Sequence, residues 1–303
     1  MSHRSNRMRT RSRHLSSCKA TETTASAKTT VNCREGRCWP SDLAKGKSDV
    51  PKRILITGAS GGLGAALAQH YALPGRTLLL WGRDGERLEA IATICRDAGA
   101  DVAVRSLDIS DFAAAVGALE EEDAAGAIDL MLLAAGMGDI QARGDLAEDA
   151  GQVARLGIVN FVASSAMAAA MARRMAQRRT GGIVLIGSAA AFHALPFAPA
   201  YAGSKAGLAH FAQALRLSVK KRGVRVTLVS PGFIDTAAGR RAPGPKPFLL
   251  QPSAAAAQIA RAAARGEAHS IFPWPFALLL WVDRLLPLSL RDRLLLALTP
   301  HGD

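Results

Sequence analysis

Residues 53–64 read RILITGASGGLG, a short apolar strand followed at once by a glycine-rich turn and the start of a helix. Ala and Leu dominate the following residues, so the helix is expected to continue to about residue 72. Glycines let a backbone approach a ligand closely, and the free N–H groups at a helix start suit a pyrophosphate. A glycine turn between a strand and a helix therefore predicts a nucleotide site.

The same alternation of apolar strands and helices continues along the chain. Further strands are predicted at residues 77–81, 102–107, 130–133, 183–186 and 224–229, with helices at 85–98, 111–125, within 145–178, and from 201 to about 222. Strands that alternate with helices pair in parallel and are covered on both faces. The sequence therefore predicts an α/β fold with a doubly wound parallel sheet of about seven strands.

A tyrosine and a lysine stand out on the helix that starts near residue 200. Tyr201 and Lys205 lie four residues apart, which places them one turn apart on the same helical face. A nearby cation favours the phenolate, so Lys205 is expected to lower the pKa of Tyr201 toward working pH. Ser188 follows the strand at 183–186 and can bring a hydroxyl to the same volume. Tyr and Lys also occur at this spacing by chance, so the pair needs support from the rest of the chain.

That support comes from a set of motifs through which the chain resembles the single-domain short-chain dehydrogenase/reductases. The resemblance covers about residues 52–265 and rests on Thr57-Gly58-x-x-x-Gly62-x-Gly64, Asp108, Ala135-Gly136, Asn160, Ser188, Tyr201-x-x-x-Lys205 and Pro231-Gly232. It implies a Rossmann-type fold with helices on both faces of the sheet. It also implies hydride transfer between a nicotinamide cofactor and a carbonyl or alcohol, an activity of class EC 1.1.1.-.

The resemblance assigns roles to four catalytic positions. Tyr201 would donate or accept the proton on the substrate oxygen as general acid/base. Lys205 would lower the pKa of Tyr201 and hold the ribose hydroxyls, and Ser188 would hydrogen-bond the substrate oxygen. Asn160 matches the position that anchors a water in the family's proton relay. An ordinary hydrogen-bonded helix asparagine is the alternative for Asn160.

The resemblance also implies the residues that bind the cofactor. Asp108 matches a contact to the adenine, and Thr236 matches a contact to the nicotinamide carboxamide. The full set is Gly58, Ser60, Gly62, Leu63, Gly64, Arg83, Asp108, Ile109, Ala135, Gly136, Tyr201, Lys205, Pro231, Gly232, Ile234 and Thr236. The chain departs from the family at Ala134, where relatives usually have asparagine. This departure puts the local stability of that loop in doubt more than catalysis.

The end of the second strand, Trp81-Gly82-Arg83-Asp84, is the place where cofactor choice is expected. An acidic residue there would bond the ribose 2′-hydroxyl, whereas an arginine would pair with a 2′-phosphate. The usual acidic position falls on Trp81 or Gly82, and Arg83 follows. We therefore expect NADP(H) to be favoured over NAD(H). The alternative is that Arg83 points to solvent and Asp84 binds the ribose.

Much of the formal charge of +13 lies in residues 1–50, which hold eleven Lys/Arg against four Asp/Glu and leave +6 for the rest. This segment has almost no apolar periodicity, so a basic, disordered extension is expected. A non-native extension from an upstream start, a targeting segment, and a basic arm for nucleic acid or membrane remain alternatives, with nucleic acid the least favoured. The spacing of Cys18, Cys33 and Cys38 matches neither a zinc site nor a disulfide framework, and no metal is expected.

Two segments near the expected site are candidates for binding the substrate. Apolar and aromatic residues beside Ser188 are expected to form a largely apolar pocket; they are Phe192, His193, Leu195 and Phe197. His193 is a weak candidate for a second acid/base, because Tyr201 already fills that role. The segment from Thr236 to Pro252 is long for a loop in a compact domain and is expected to form a lid.

Residues 269–303 are expected to form an apolar or amphipathic C-terminal tail, separate from a catalytic domain at 51–268. Its longest uncharged stretch, residues 268–282, is too short to span a bilayer, which takes roughly 20 residues. One helical face is expected to hold Leu278, Trp281, Val282 and Leu285. Packing on the domain or a partner subunit and contact with a membrane surface both remain open.

These observations favour an NAD(P)-dependent oxidoreductase for an apolar carbonyl or alcohol substrate. A non-catalytic NAD(P)-binding scaffold or regulatory protein of the same fold is the alternative. The resemblance also implies a homo-oligomer. The expected location is cytoplasmic, with peripheral membrane contact through the C-terminal tail left open.

Overall fold

The computed structural model describes residues 31–34, 37–40, 50–138, 147–241 and 244–297. Met1–Val50 and Pro51–Asp303 form two separate compact units. In the first unit, Val31–Arg34 and Arg37–Pro40 pair as a two-stranded antiparallel hairpin. Such a hairpin is at best marginally stable alone. Disorder of residues 1–50 as a whole stays a prediction.

The second unit contains a parallel sheet of seven strands. They are β1 Arg53–Thr57, β2 Thr77–Gly82, β3 Asp101–Ser106, β4 Leu130–Leu133, β5 Gly181–Ile186, β6 Val224–Pro231 and β7 His269–Phe272. Their spatial order is β3-β2-β1-β4-β5-β6-β7, so the direction of winding reverses between β1 and β4. This confirms the predicted doubly wound, Rossmann-type sheet, and ligands bind at such a reversal in open α/β sheets.

Helices connect the strands and cover both faces of the sheet. They are α1 Gly62–Tyr71, α2 Gly85–Asp97, α3 Phe112–Ala125, α4 Ala150–Gly157, α5 Ser164–Arg178, α6 Pro199–Val219, α7 Ala237–Arg241, α8 Pro252–Arg265, α9 Pro275–Leu285 and α10 Leu288–Ala297. Asp111 caps the start of α3, because its carboxylate accepts a hydrogen bond from Ala114 N at 3.0 Å.

Alternate side chains of each buried strand contribute to two separate cores. On β1, Leu55 packs with α3, α5 and α6, whereas Ile54 and Ile56 pack with α1, α2 and α8. Both cores are fully enclosed at these positions. Burial on both faces explains why the strands are continuous apolar runs instead of alternating polar and apolar residues.

The helical run Ala150–Arg178 is long and apolar enough, by length and composition, to cross a membrane. Within it, Met167, Met171 and Met175 are fully buried and form part of the core beneath the sheet. Core helices of this kind pass the same test, so the finding is weak evidence for a membrane span.

The expected boundary between catalytic domain and tail at residues 268 and 269 is wrong. β7, His269–Phe272, pairs in parallel with β6 through Leu228↔His269 to Pro231↔Phe272 and is the seventh strand of the sheet. The segment that remains outside the sheet begins at Pro273. It contains α9 and α10.

Candidate functional site

The glycine turn after β1, which we call the glycine cradle, packs too closely against neighbouring backbone for side chains at two of its positions. Gly58 has a φ of +68°, and a Cβ on it would lie 2.7 Å from the Ala135 Cα. A Cβ on Gly64 would collide with the Gly58 carbonyl oxygen. α1 starts at Gly62 without a side-chain cap and without an acidic residue in its first turn. Its first N–H groups therefore fit the pyrophosphate of a dinucleotide.

The loop after β4 lies against this turn. Ala135 N donates to Thr57 Oγ1 at 3.2 Å, and the close approach to Gly58 involves the backbone of Ala134 and Ala135. Backbone groups therefore join the two loops where relatives usually have an asparagine. These backbone contacts stabilise the loop at Ala134, where the missing asparagine had put local stability in doubt.

Asn160 is fully buried in a π-helical turn, Ile158–Ala163, between α4 and α5. Its Oδ1 accepts from Met137 N at 2.8 Å, and its Nδ2 donates to Met137 O at 2.9 Å and to Ser204 Oγ at 3.2 Å. The side chain thus joins the loop after β4 to the Tyr201 helix. π-Turns of this kind are frequent at functional sites. The expected water-anchoring role of Asn160 stays a prediction.

Ser188 and Tyr201 are brought together at the carboxyl end of β5. Ser188 caps a 3₁₀ turn, Ala189–Phe192, by accepting from Ala190 N at 3.1 Å. Burial raises the pKa of Tyr201, and a hydrogen bond with Ser188 works in the opposite direction. The predicted meeting of a serine hydroxyl and a tyrosine phenol in one small volume is therefore what the structure shows.

Lys205 is buried, and its Nζ donates to the Ile186 carbonyl oxygen at 2.9 Å. Burial lowers the pKa of Lys205 to about 8. The expected lowering of the Tyr201 pKa by Lys205 is wrong for this structure. The ammonium group is bonded to the end of β5, and burial of the phenol is the larger effect. Gly136 lies beside this ammonium, because a Cβ on it would be 3.4 Å from Lys205 Nζ.

The residues expected to choose the cofactor lie at the ends of β2 and β3. Gly82 closely faces Ser60, because a Cβ on Gly82 would lie 2.8 Å from Ser60 Oγ. The Arg83 side chain is 68% exposed, and its Nη1 is 3.9 Å from Asp108 Oδ2. A pair so exposed and so long is weak. Asp84 caps α2 by accepting from Arg87 N at 3.0 Å, which favours Arg83 over Asp84 as the group that faces the cofactor.

The segment after β6 closes the site from the other side. Thr236 lies against the glycine turn, because its Cγ2 would be 2.7 Å from a Cβ on Gly62. Its Oγ1 accepts from Gly239 N at 3.0 Å, and Ile234 beside it is buried. The predicted positions from Pro231 to Thr236 therefore adjoin the predicted pyrophosphate cradle. Together these features fit a nicotinamide dinucleotide that runs from Arg83 past the glycine turn to Tyr201.

Comparison with known proteins decides the family. The model of the short chain dehydrogenase family matches residues 52–244. The chain is a short-chain dehydrogenase/reductase. An uncharacterized oxidoreductase of Myxococcus xanthus (strain DK1622) is 32% identical over 242 residues, which cover 80% of this chain and 95% of the relative. As a family member, the chain is an NAD(P)-dependent oxidoreductase that acts on alcohol or carbonyl groups of small molecules.

Solved short-chain dehydrogenases share the fold over most of their length. One from Sphingobium yanoikuyae, in complex with NADPH, is 30% identical with a TM-score of 0.68, covering 77% of this chain and 93% of its own. The bulky-bulky ketone specific alcohol dehydrogenase from Comamonas testosteroni is 27% identical with a TM-score of 0.67, covering 84% and 98%.

A cavity of about 490 Å³ lies beside the Tyr201 helix of this short-chain dehydrogenase/reductase. It is lined by residues 191–196 and by Pro199, Ala202, Gly203 and Ala206. Phe192, His193 and Leu195 of the expected pocket line this cavity, but Phe197, Ser188 and Tyr201 do not. The cavity therefore begins near Ser188 and Tyr201 in the sequence but is not lined by either residue. An acid/base role for His193 stays a prediction.

The expected lid is bonded to the segment after β6 at its C-terminal end. Leu250 N donates to Phe233 O at 2.9 Å, and Asp235 N donates to Leu250 O at 2.8 Å. Residues 242–243 lie outside the described residues. Between them and Leu250, Phe248 has a φ of +57° and is 58% exposed. Closure of this segment as a lid stays a prediction.

The C-terminal segment leaves several apolar side chains exposed. On the expected helical face, Leu278 and Leu285 are 56% and 79% exposed, and the side chains of Trp281 and Val282 lie outside the described part of the chain. Phe276, near the start of α9, instead packs against the loop after β6. The tail thus contacts the site through one turn, while partner-subunit and membrane contact stay predictions.

Sequence reasoning missed two groups that support the site. Ser204 accepts from Asn160 and donates to the Tyr201 carbonyl oxygen at 2.9 Å. Its position three residues after Tyr201 was a usable signal. Phe276 was missed because its contact depends on how the tail folds back onto the sheet.

Proposed function

We propose that the protein is an NADP(H)-dependent dehydrogenase/reductase that interconverts a carbonyl and an alcohol on an apolar substrate, with Tyr201 as general acid/base. The decisive observation is that Ser188, Tyr201 and the buried Lys205 converge at the end of β5, at the strand ends that also bear the glycine cradle. A scaffold protein of this fold would need the cradle but would have no use for these three side chains.

The chemistry divides between the cofactor and the side chains. A bound nicotinamide supplies or accepts the hydride. In the direction of reduction, Ser188 donates a hydrogen bond to the substrate carbonyl oxygen and orients it toward the cofactor. Tyr201 gives its phenolic proton to the same oxygen as charge develops there.

Lys205 has one task in this proposal. Its ammonium, fixed by the Ile186 carbonyl, holds the ribose hydroxyls of the cofactor beside Tyr201. Asn160 holds the loop after β4 against α6 through its bonds to Met137 and Ser204. With Lys205 and Asn160 in place, the hydroxyl groups of Ser188 and Tyr201 are positioned before the substrate arrives.

Arg83 supports the preference for NADP(H). Its guanidinium is exposed at the end of β2 and only weakly paired with Asp108, so a 2′-phosphate can displace that pairing. The Sphingobium relative, which has NADPH bound, agrees with this choice. Replacing Arg83 with Ala should weaken NADPH binding by about tenfold or more and leave NADH binding nearly unchanged.

Fluorescence titration with each cofactor measures both affinities, and Arg87→Ala provides the control. Arg87 is one turn along on α2 and similarly exposed, but it pairs with Asp84. An unchanged NADPH preference in Arg83→Ala would contradict the proposed cofactor.

An apolar carbonyl substrate is supported by the rings around the strand ends, among them Phe233 and Phe248, and by the ketone specificity of the Comamonas relative. The test is NADPH consumption over a panel from short ketones to long-chain acyl and steroid-like ketones. Turnover of apolar ketones supports the proposal. NADPH binding without turnover of any panel member would favour a scaffold function.

A homo-oligomer and a cytoplasmic location complete the proposal. Exposed apolar side chains on the run from α4 to α5, at Val153, Ile158 and Val162, support contact with a second copy. Light scattering measures the oligomeric state. Fractionation before and after a high-salt wash separates a peripheral membrane protein from a freely dissolved one.

A further inference from the structure

Phe276, in the first turn of α9, lies directly on the loop after β6. A methyl group on Gly232 would lie 2.8 Å from Cδ2 and 3.0 Å from Cζ of Phe276, and its three nearest neighbours would all be atoms of that ring. Gly232 N donates to Phe272 O at 2.8 Å, so the chain leading into α9 is fixed at the same point. The C-terminal helix therefore rests on the segment expected to contact the nicotinamide.

Two further rings meet Phe276. The ring centroids of Phe233 and Phe248 each lie 6.3 Å from that of Phe276, in edge-to-face arrangements at 64° and 82°. We call Phe233, Phe248 and Phe276 the phenylalanine cluster. Phe248 has a φ of +57°, which is costly for a residue with a bulky side chain and persists only where its surroundings fix it. The contact with Phe276 contributes to fixing it.

α9 also reaches the other side of the cleft. It contacts the 3₁₀ turn Ala189–Phe192, which begins directly after Ser188. The helix thus spans from the end of β5, where Ser188 and Tyr201 meet, to Gly232 at the end of β6. In open α/β sheets the space between such strand ends is where ligands bind.

We infer that the phenylalanine cluster is the outer wall of the substrate cleft, and that Phe276 determines which apolar substituents the cleft accepts. This inference rests on the proposed function, because it needs a carbonyl group at Ser188 and Tyr201. Aromatic rings in edge-to-face contact form a rigid apolar surface that selects substituents by size and shape. A substrate substituent that extends beyond the space between the ends of β5 and β6 would collide with Phe276.

The first experiment compares wild type, Phe276→Ala and Trp274→Ala on a methyl ketone and on a ketone with two bulky apolar substituents. Trp274 is the matched control, because it is aromatic, lies just before α9 and is 73% exposed. Phe276→Ala should raise the ratio of kcat/KM for the bulky ketone to that for the methyl ketone by about tenfold, and Trp274→Ala by less than about twofold. A ratio in Phe276→Ala within about twofold of wild type would overturn the inference.

The second experiment needs no turnover. Gly232→Ala, Phe276→Ala and the double variant are compared for NADPH affinity by fluorescence. We expect Gly232→Ala to weaken NADPH binding by about tenfold in the wild-type background and by less than about threefold when Phe276 is also Ala. An equal loss in both backgrounds would show that Phe276 does not rest on this loop and would overturn the inference. If no ketone is reduced but the effect of Gly232→Ala still depends on Phe276, the proposed function fails. The placement of Phe276 against the loop after β6 is then still supported.

Discussion

Lys205 lies in an environment that differs strongly from that of a free side chain. Its ammonium is buried and bonded to the Ile186 carbonyl, and burial lowers its pKa from the ordinary value of 10.5 to about 8. Holding a charge there disfavours the folded state below about pH 8, because the unfolded chain hydrates the same charge fully. The folded chain thus gives up some stability to keep an ammonium at the end of β5.

This shift predicts how stability depends on pH. Between about pH 8 and 10.5 the unfolded chain binds a proton at Lys205 and the folded chain does not, so folding becomes more favourable as pH rises. Relative to Lys205→Met, the free energy of unfolding of the wild type should therefore rise by about 3 kcal/mol across that window.

Urea denaturation of both chains at several pH values measures this difference. Tyr71 and Tyr201, which also titrate at high pH, are present in both variants and largely cancel. If the free energy of unfolding of the wild type, relative to that of Lys205→Met, fell as the pH rose, the result would contradict a lowered pKa for Lys205.

At the scale of elements, Asp123 joins α3 to α5. Its carboxylate accepts from Arg174 Nε at 2.6 Å, from Arg178 Nη1 at 2.9 Å and from Ile128 N at 2.9 Å. Burial alone would raise the pKa of Asp123, but the bonds from Arg178, Ile128 and Arg174 outweigh it and lower the pKa. The buried carboxylate of Asp123 therefore links α3 to α5.

Asp123→Asn should destabilise the protein by about 2–3 kcal/mol, because two partly buried arginines lose their counter-charge. Glu121→Gln, on the same helix, is the control and should cost less than about 0.5 kcal/mol. Glu121 bonds Arg105, but its side chain is 71% exposed. Guanidinium denaturation measures both, and equal losses would contradict a special role for Asp123.

The elements also show what could be predicted from the sequence. β1, β2, β4 and β5 are apolar runs bounded by turns, so their positions in the chain followed from pattern and composition. β7 has only four residues, three of them half-buried, and it runs directly into Pro273, so no pattern separated it from the tail. The Ser188–Tyr201 meeting followed from motif spacing, whereas the bond from Lys205 to Ile186 depends on the exact end of β5.

At the level of the whole molecule, residues 1–50 and the sheet unit differ in composition and form two compact units. Among the described residues, both apolar cores begin at Ile54 or Leu55. Lys52 N and Arg53 N donate to Asp129 at 2.8 and 3.0 Å, which fixes the start of β1. A truncation before Pro51 therefore retains these contacts to the start of the first strand.

Removing residues 1–50 should leave the NADPH affinity unchanged and shift the thermal midpoint by less than about 2 °C. Any weak binding to nucleic acid should fall, because the net charge drops from +13 to +6. Differential scanning fluorimetry and salt-dependent DNA binding check both expectations. A truncated chain that loses cofactor binding would show that the N-terminal unit contributes to the site.

The tail could not be placed from sequence, because its apolar residues fit packing and exposure equally well. The structure divides them: Phe276 packs on Gly232, while Leu285 and Leu288 remain 79% and 66% exposed. The start of the segment therefore packs against the loop after β6, whereas the leucines further along it are exposed.

In the proposed reaction Tyr201 gives its phenolic proton to the substrate oxygen. The decisive measurement compares NADPH binding and NADPH oxidation side by side, with an apolar ketone, in wild type and Tyr201→Phe. Both chains should bind NADPH with affinities within about threefold, while Tyr201→Phe should lose at least about 10²-fold in kcat/KM, because the proton donor is gone and the ring remains. Turnover in Tyr201→Phe within about tenfold of wild type would contradict the account.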